Sequence, residues 1–431
     1  MPTCRRVSIL VLSWNGREHL GPCLEALAAQ RPAGVEVETL LLDNGSSDGS
    51  AEWVRANHPR VKLVESSTNL GFCAGNNRLA ELAAGDALVL LNNDTRAEPD
   101  WLAALVDAWR SASDDVAAIG GRIVDWEAER LDFGRGILTF DGHAFQLDFR
   151  RPLGEARQPR AGEELLFACG GNLIVGRDRY LAAGGFDPRY FAYLEDVDLG
   201  WRLWAEGFRV LACPQATVRH RSSATSDRLG HYHRGFLFER NALRTMHKNL
   251  EPELWRELMP VILLTFLTRV EAMLAESNPG GGALRADPFA GALADTAPAK
   301  PGPESLGEKW RRMGPREFAR RGAAKAARMI SSAARPPRRD GVSIEDPRTM
   351  AQLRAMSFFR ASLESCEEER TRLAERRHRS DRELFERFPL WIVPTYPGDD
   401  ALLASPAFER WLPAELRFER STLPGVMAWP G

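Results

Sequence analysis

Short apolar runs alternate with helical patterns through the first hundred residues. Residues 7–12, 37–42, 61–64 and 87–91 are each dominated by Val, Leu and Ile and then stop abruptly. Runs of this length read as strands, and the unbroken Ala87-Leu88-Val89-Leu90-Leu91 reads as one buried on both faces. Between them the period lengthens. Leu20, Leu24, Leu27 and Ala28 share one helical face, Trp53 and Val54 sit in a second helix with Asp48 as candidate N-cap, and a third helix spans about 74–83. The order β-α-β-α-β-α-β predicts a parallel sheet with right-handed crossovers. All four strands then end along one edge, where open α/β folds place their ligands. Each is followed there by Asn, Asp, Ser or Gly: Ser13-Trp14-Asn15-Gly16, Asp43-Asn44-Gly45-Ser46-Ser47-Asp48, Asn69-Leu70-Gly71-Phe72, and Asn92-Asn93-Asp94.

The pattern continues less regularly. A helix from Asp100 carries Trp101, Leu102, Leu105, Val106 and Trp109, and a short strand is expected at 116–119. Residues 122–165 are polar and broken by Gly, with a hairpin expected within 132–149. The apolar run 165–175 contains Gly170 and Gly171, which let backbone approach a ligand closely. A turn at 184–188 leads to a helix that opens with Glu195-Asp196-Val197-Asp198 and carries Trp201, Leu203 and Trp204. A strand at 209–212 follows, then Arg219-His220-Arg221, then a helix with Arg240, Asn241 and Arg244.

Beyond residue 250 the texture changes. The spacing predicts an amphipathic helix over 250–274, and the Gly-, Pro- and Ala-rich 278–303 reads as a linker. A charged helix is expected over 350–388, with Leu353, Met356, Leu363, Leu373 and Leu384, followed by an irregular tail packed on the core. The division expected is therefore a catalytic domain at 1–250, a helical segment at 251–277, a linker at 278–308 and a basic, helical extension at 309–431.

Composition narrows the class. At 431 residues the chain exceeds one typical domain, and 44% hydrophobic with 27% charged residues is ordinary for a soluble protein. A net charge of −2 gives no global attraction to nucleic acid, and none is expected as a partner. The six cysteines are scattered and lack zinc spacing, so reduced thiols are expected. The chain enters a strand within a few residues, so no signal peptide is expected. The apolar run 261–267 is short of the roughly 20 residues a spanning helix needs. Work on the cytoplasmic side follows as an expectation. Residues 309–339 hold eleven Lys or Arg and one acid, Glu317; such a segment either lies on an anionic membrane surface or is a solvated basic helix.

Candidate chemistry gathers at the polar strand ends. Asp94 offers a hard oxygen to a divalent cation, which in turn can hold a diphosphate. The acids at 195, 196 and 198 suit the first turn of any helix, where the dipole favours negative charge; equally, one of them can serve as a general base. Cys169 has no evident basic partner and reads as core filler. Asp114-Asp115 reads as a solvated loop. Residues 43–54 lack the bidentate Glu of a calcium loop, and neither a GxGxxG nor a GxxxxGK[ST] motif is present.

Taken together, Trp14-Asn15-Gly16, Asp43 to Ser50, Asn69-Leu70-Gly71-Phe72, Asn76-Asn77 and Asn92-Asn93-Asp94 resemble the family 2 glycosyltransferases of the GT-A fold. The chain is similar in particular to the rhamnosyltransferase-like enzymes of bacterial polysaccharide assembly. The resemblance implies a mixed, mostly parallel α/β sheet flanked by helices, ending near residue 250. It implies a nucleotide-diphosphate sugar donor, a saccharide or lipid-linked acceptor and a divalent cation, Mn2+ or Mg2+. It assigns Asp43 to the nucleotide base, and Asn15, Asn44, Ser46, Asn69, Gly71 and Asn77 to the nucleotide-sugar. Asn92-Asn93-Asp94 falls on the DxD position, with Asn in place of the first acid; Asp94 is then its one acidic ligand. Asp196 is implied as base, with Glu195 binding acceptor or orienting it and Asp198 as a cap or supporting acid. His220 is implied as a metal ligand, with Arg219 and Arg221 on the diphosphate and Arg240, Asn241 and Arg244 either beside the nucleotide phosphates or closing the pocket.

Two other classes stay open at this point. A nucleotidyltransferase uses a similar nucleotide frame but opens with a Gly-rich basic loop, for which Trp14-Asn15-Gly16-Arg17 is a poor substitute. A non-catalytic scaffold would not need Asp94, Asp196 and His220 together. The sequence specifies neither oligomeric state nor sugar; family analogy points to dTDP-rhamnose.

Overall fold

In the computed structural model, residues 4–221, 226–277 and 346–428 are described. The apolar runs form strands β1 (Arg6–Ser13), β2 (Glu36–Asn44), β3 (Lys62–Ser66) and β4 (Ala87–Asn92). The helices between them are α1 (Arg17–Ala29), α2 (Ser50–Asn57) and α3 (Gly71–Leu82). β1 pairs in parallel with both β2 and β4, and β2 with β3, as the periodicity predicts. Ala87 to Leu91 are buried throughout, which is why that strand needs no alternation. On α1 the buried face takes Leu20, Cys23, Leu24 and Leu27, while Ala28 is exposed. Asp48 is not the N-cap of α2; Gly49 is. Its carboxylate instead accepts from Ser50 N–H at the start of α2 and from Arg17 N–H at the start of α1. α3 begins at Gly71, three residues before the expected 74.

The second half of the sheet is mixed. After β5 (Thr95–Ala97) and α4 (Trp101–Ser111) come β6 (Val116–Asp125), β7 (Leu131–Phe133), β8 (Gly136–Leu138), β9 (Ala144–Gln146) and β10 (Asn172–Gly176). Then follow α5 (Arg177–Ala182), α6 (Glu195–Ala205), β11 (Arg209–His220), α7 (Ser226–Asn249) and α8 (Pro252–Ser277). The order is β3-β2-β1-β4-β10-β6-β11-β5, with β7 beside β6. β10 runs antiparallel between β4 and β6, and β11 runs parallel to β6. This is the mixed GT-A sheet the resemblance implies. Buried Asn172 fixes the junction: it accepts from Trp101 Nε1 at 2.8 Å and donates to the carbonyls of Arg122 and Ala216. The strands at 116 and 209 are longer than expected, at 10 and 12 residues, because β11 absorbs a bulge between Cys213 and Thr217 and continues along β6. The hairpin expected within 132–149 is β8–β9.

One compact unit is 1–269 with 350–431, and a second is 270–349. The expected single helix over 350–388 is three: α9 (Pro347–Ala361), α10 (Leu363–Arg376) and α11 (Asp381–Arg387). These pack on α6. Trp201 Nε1 donates to buried Asp381, Arg379 caps the carbonyls of Trp204, Gly207 and Phe208, and His378 N–H donates to Ala205 O. The tail is less irregular than expected, forming short helices and the parallel pair β12 (Leu390–Ile392) and β13 (Phe418–Arg420), with Phe408 edge-on to Phe140. In the second unit, the end of α8 and the start of α9 are joined by Arg348 and Glu276 at 3.3 Å. The linker and basic segment expected at 278–308 and 309–339 lie outside the described residues.

α8 corrects the expectation drawn from the short run 261–267. It has 26 residues, and its most apolar window has mean hydropathy 1.7, with half of that window buried in the protein. Length and composition alone would let it cross a membrane. Thr265 and Thr268 interrupt the apolar run in sequence, but their hydroxyls bond the carbonyls of Val261 and Leu264 within the helix.

Candidate active site at the strand ends

The polar ends of β1, β2 and β3 hold one another. Asn15 N–H donates to Ser46 Oγ and Asn15 Oδ1 accepts from Ser47 N–H, at 2.9 and 2.8 Å. Asn44 donates to Asn69 Oδ1 and accepts from Leu70 N–H, while Asn69 Oδ1 also accepts from Gly71 N–H. Asn15, Asn44, Ser46 and Asn69 thus build the wall of the cleft. What they leave is Asp43: Oδ1 accepts from Ser46 N–H, and Oδ2 is buried without a hydrogen-bond partner among the described residues. A buried acceptor of that kind is costly unless a ligand donor meets it. A pocket of about 520 Å³ lined by Asn15, Arg17, Glu18 and Asp48 opens beside this wall.

Two residues expected on the nucleotide-sugar serve packing. Asn77 accepts from Tyr180 OH and Phe186 N–H and donates to Phe186 O, so its amide clamps the turn after α5. Gly71 has φ +83°, and a Cβ there would meet the Phe191 ring at 2.5 Å. The space the glycine frees is filled by that ring. Asn93 likewise turns inward, donating to Ser13 Oγ beneath Gly16. Asn92 is half-buried, its side chain against Gly171 and its N–H donating to Gly171 O at 3.3 Å.

Asp94 and His220 meet. Thr95 and His220 are register partners in β5 and β11, which brings His220 Nε2 to 3.2 Å from Asp94 Oδ1. His220 Nδ1 lies 2.8 Å from Asp132 Oδ2 on β7. Burial alone would lower the His220 proton affinity, but hydrogen bonds and charge from Asp132 and Asp94 outweigh it and raise the pKa to about 10. Burial raises the Asp94 carboxyl, yet His220 holds it below the usual carboxylate range. Arg219 departs from its expected role. Its register partner is Arg96, one place along from His220, so it leaves the sheet on the opposite face and pairs with Glu98. Arg221 stacks on Trp126 at 4.3 Å, with Arg96 also over that ring at 5.0 Å.

The acids of α6 sit opposite. Asp196 accepts from Val197 N–H at 2.9 Å and, at 3.4 Å, from Gly170 N–H. Gly171 is in turn bonded to Asn92, two residues from Asp94. That bridge brings the base candidate and the metal candidate onto one stretch of sheet edge. Cys169, next in the chain, feels the charges of both Asp196 and Asp132, and burial pushes its thiol well above the ordinary range, so it is no nucleophile. Burial raises the carboxyls of both Glu195 and Asp196, and Asp196's charge adds to the rise at Glu195. Glu195 Oε2 is buried without a hydrogen-bond partner among the described residues. Asp198 is fully buried and paired with Arg202 and Lys248.

Sequence reasoning did not find what holds this helix in place. The segment before α6 places Phe191, Tyr193 and Leu194 at φ 64°, 70° and 64°. Such backbone is strained for residues with a Cβ and persists only where the surroundings impose it. Asn241 on α7 imposes it by donating to the carbonyls of Tyr190, Ala192 and Tyr193, and Arg240 holds those of Arg189 and Tyr190. Arg244 pairs with Asp187 and Glu369. Arg240, Asn241 and Arg244 are therefore committed to the protein rather than to phosphates. Phe191 O accepts from Phe72 and Cys73 N–H at the first turn of α3. Asp132 was missed too, though Leu131-Asp132-Phe133, an acid between two apolar residues in a strand, carried the signal.

Residues 8–180 match glycosyl transferase family 2. The chain is 34% identical over 237 residues to the N-acetylglucosaminyl-diphospho-decaprenol L-rhamnosyltransferase of Mycobacterium tuberculosis, covering 48% of this chain and 75% of that protein. It is 30% identical over 232 residues to the O-antigen biosynthesis protein RfbC of Myxococcus xanthus, covering 51% of this chain and 18% of that one. Among solved structures it is similar to GalNAc-T7 with UDP, GalNAc and Mn2+, with TM-score 0.47 and 16% identity, covering 62% of this chain and 51% of that one.

Proposed function

The chain belongs to glycosyl transferase family 2, and from that premise we propose that it transfers a sugar with inversion from a nucleoside diphosphate to a hydroxyl of a lipid-linked saccharide. The observation that carries this is the Asp196–Gly170, Gly171–Asn92 bridge, which sets a carboxylate of raised proton affinity beside the Asp94–His220 pair. The mycobacterial relative acts, by its name, on an N-acetylglucosaminyl-diphospho lipid with rhamnose, so dTDP-rhamnose is the first donor to test.

The buried oxygen of Asp43 accepts from the nucleobase, and the stitched loops keep water from competing there. Asp94 and His220 suit a divalent cation: one carboxylate and one imidazole nitrogen aim at a common point, and diphosphate oxygens complete the shell. When bound, the cation would stabilise charge on the departing diphosphate. Arg221, stacked and solvent-facing, is the guanidinium left for phosphate. Asp196 takes the acceptor hydroxyl's proton as the bond to the anomeric carbon forms, and its raised affinity brings it closer to the working pH. Glu195, buried beside it with Oε2 unpartnered among the described residues, binds the acceptor sugar. One base and no enzyme nucleophile fit a single displacement. A scaffold protein would have no use for two adjacent carboxyls held against ionisation.

The test is a panel of nucleotide sugars screened by thermal stabilisation, then incubation of the stabilising donor with a lipid-diphosphate saccharide. Transfer with inverted anomeric configuration is expected. No stabilising nucleotide and no transfer, or retention of configuration, would overturn the proposal.

A further inference from the structure

We infer that Asp132 is the positioning residue of this metal site: it holds His220 Nδ1, presents Nε2 to the cation, and supplies the negative charge missing at Asn92. The inference rests on Asp94 and His220 being the ligands. Asp132 is buried on β7 between Leu131 and Phe133, which are buried as well. A carboxylate is costly there unless it meets a donor, and at 2.8 Å His220 Nδ1–H is one. The ring is then fixed with Nε2 facing Asp94 Oδ1, 3.2 Å away. A carboxylate behind an imidazole sets the tautomer, orients the ring and makes its free nitrogen a stronger ligand.

The charge count explains why the first position of the acidic motif can be Asn. Two acids in the motif would place two negative charges beside the cation. Asn92 removes one, and Asp132 returns it from behind His220, one imidazole further out. Asn92 meanwhile packs against Gly171, where a neutral amide adds no repulsion toward Asp196. With two protein ligands and substrate phosphates around the cation, the outer carboxylate carries more of the charge.

The experiment titrates Mn2+ into the full-length protein with dTDP, following free Mn2+ by electron paramagnetic resonance and bound nitrogen by electron spin echo. The wild type should bind Mn2+ with nitrogen coupling from one imidazole. Asp132→Ala should lose about 10- to 100-fold in Mn2+ affinity and show altered nitrogen coupling, with dTDP affinity in the absence of metal unchanged. Asp132→Asn, nearly identical in shape and a guard against misfolding, should fall between the two. If either folded variant binds Mn2+ as the wild type does with the same coupling, while Asp94→Ala loses binding, this inference is overturned and the metal site stands. If the wild type binds no Mn2+, both fall. A purely structural role would lower the melting temperature and the metal-free dTDP affinity, without a selective loss of Mn2+.

Discussion

Replacing Asp196 with Asn separates chemistry from binding. The side chain keeps its shape and the acceptor for Val197 N–H, but cannot take a proton. Loss of a positioned general base lowers kcat by about 10²- to 10⁴-fold, or roughly 3–5 kcal/mol at 1.36 kcal/mol per tenfold. Donor affinity should hold, because the contacts of Asp196 are to Gly170 and Val197. Stability should change in the opposite direction from activity. Burial raises this carboxyl above its unfolded value, so ionising it costs stability as pH rises, about 1.4 kcal/mol for each tenfold rise in proton affinity. Asn never ionises. The variant should therefore melt higher than the wild type at pH 8, with the gap closing as the pH falls toward the ordinary carboxylate range. Single-turnover transfer, nucleotide calorimetry and melting at several pH values measure the three effects. Normal turnover would reject Asp196 as base, and a lower melting temperature at pH 8 would reject the electrostatic argument.

Asp94→Ala should weaken Mn2+-dependent dTDP binding at least tenfold by calorimetry; unchanged binding would remove the ligand assignment. Asn241→Ala frees three carbonyls beneath the strained segment and should cost about 2–3 kcal/mol, together with most of kcat; wild-type kcat would show that the clamp is dispensable. Gly71→Ala drives a methyl into Phe191 at a left-handed position and should destabilise by about 1–3 kcal/mol in denaturant melts. A chain ending at residue 345 uncovers buried Trp201 and Trp204, each a side chain whose packing is worth about 3–5 kcal/mol. It should not yield soluble, cooperatively melting protein; a sharp melt would mean that the extension is separable.

What was legible in the sequence is what periodicity writes. β1 to β4 each centre on a short apolar run bounded by polar residues, so strand type, order and edge all follow. Asp94, Asp196 and His220 were singled out through motif resemblance, and the structure brings Asp94 and His220 to 3.2 Å. The bracing role of the wall residues was not legible, because Asn and Ser after a strand look alike whether they face a ligand or one another; the hydrogen bonds at Asn15, Asn44 and Asn69 show that they hold the loops together. Arg219 misled because a one-residue step in a strand reverses the face, and β11 was not visible as a strand beyond Ala212 across its bulge. The extension was opaque for another reason. Asp381 and Glu369 read as surface acids in a charged helix, and nothing local tells that Trp201 and Lys248 meet them about 180 and 120 positions away in the chain.

The segment from Phe191 to Leu194 has a consequence for how damage would spread. One amide on α7 holds three of its carbonyls, and the carbonyl of Phe191 receives two N–H groups from the start of α3. The first turns of α3 and α6 thus share a single support, so a change that loosens it is felt at both helices at once.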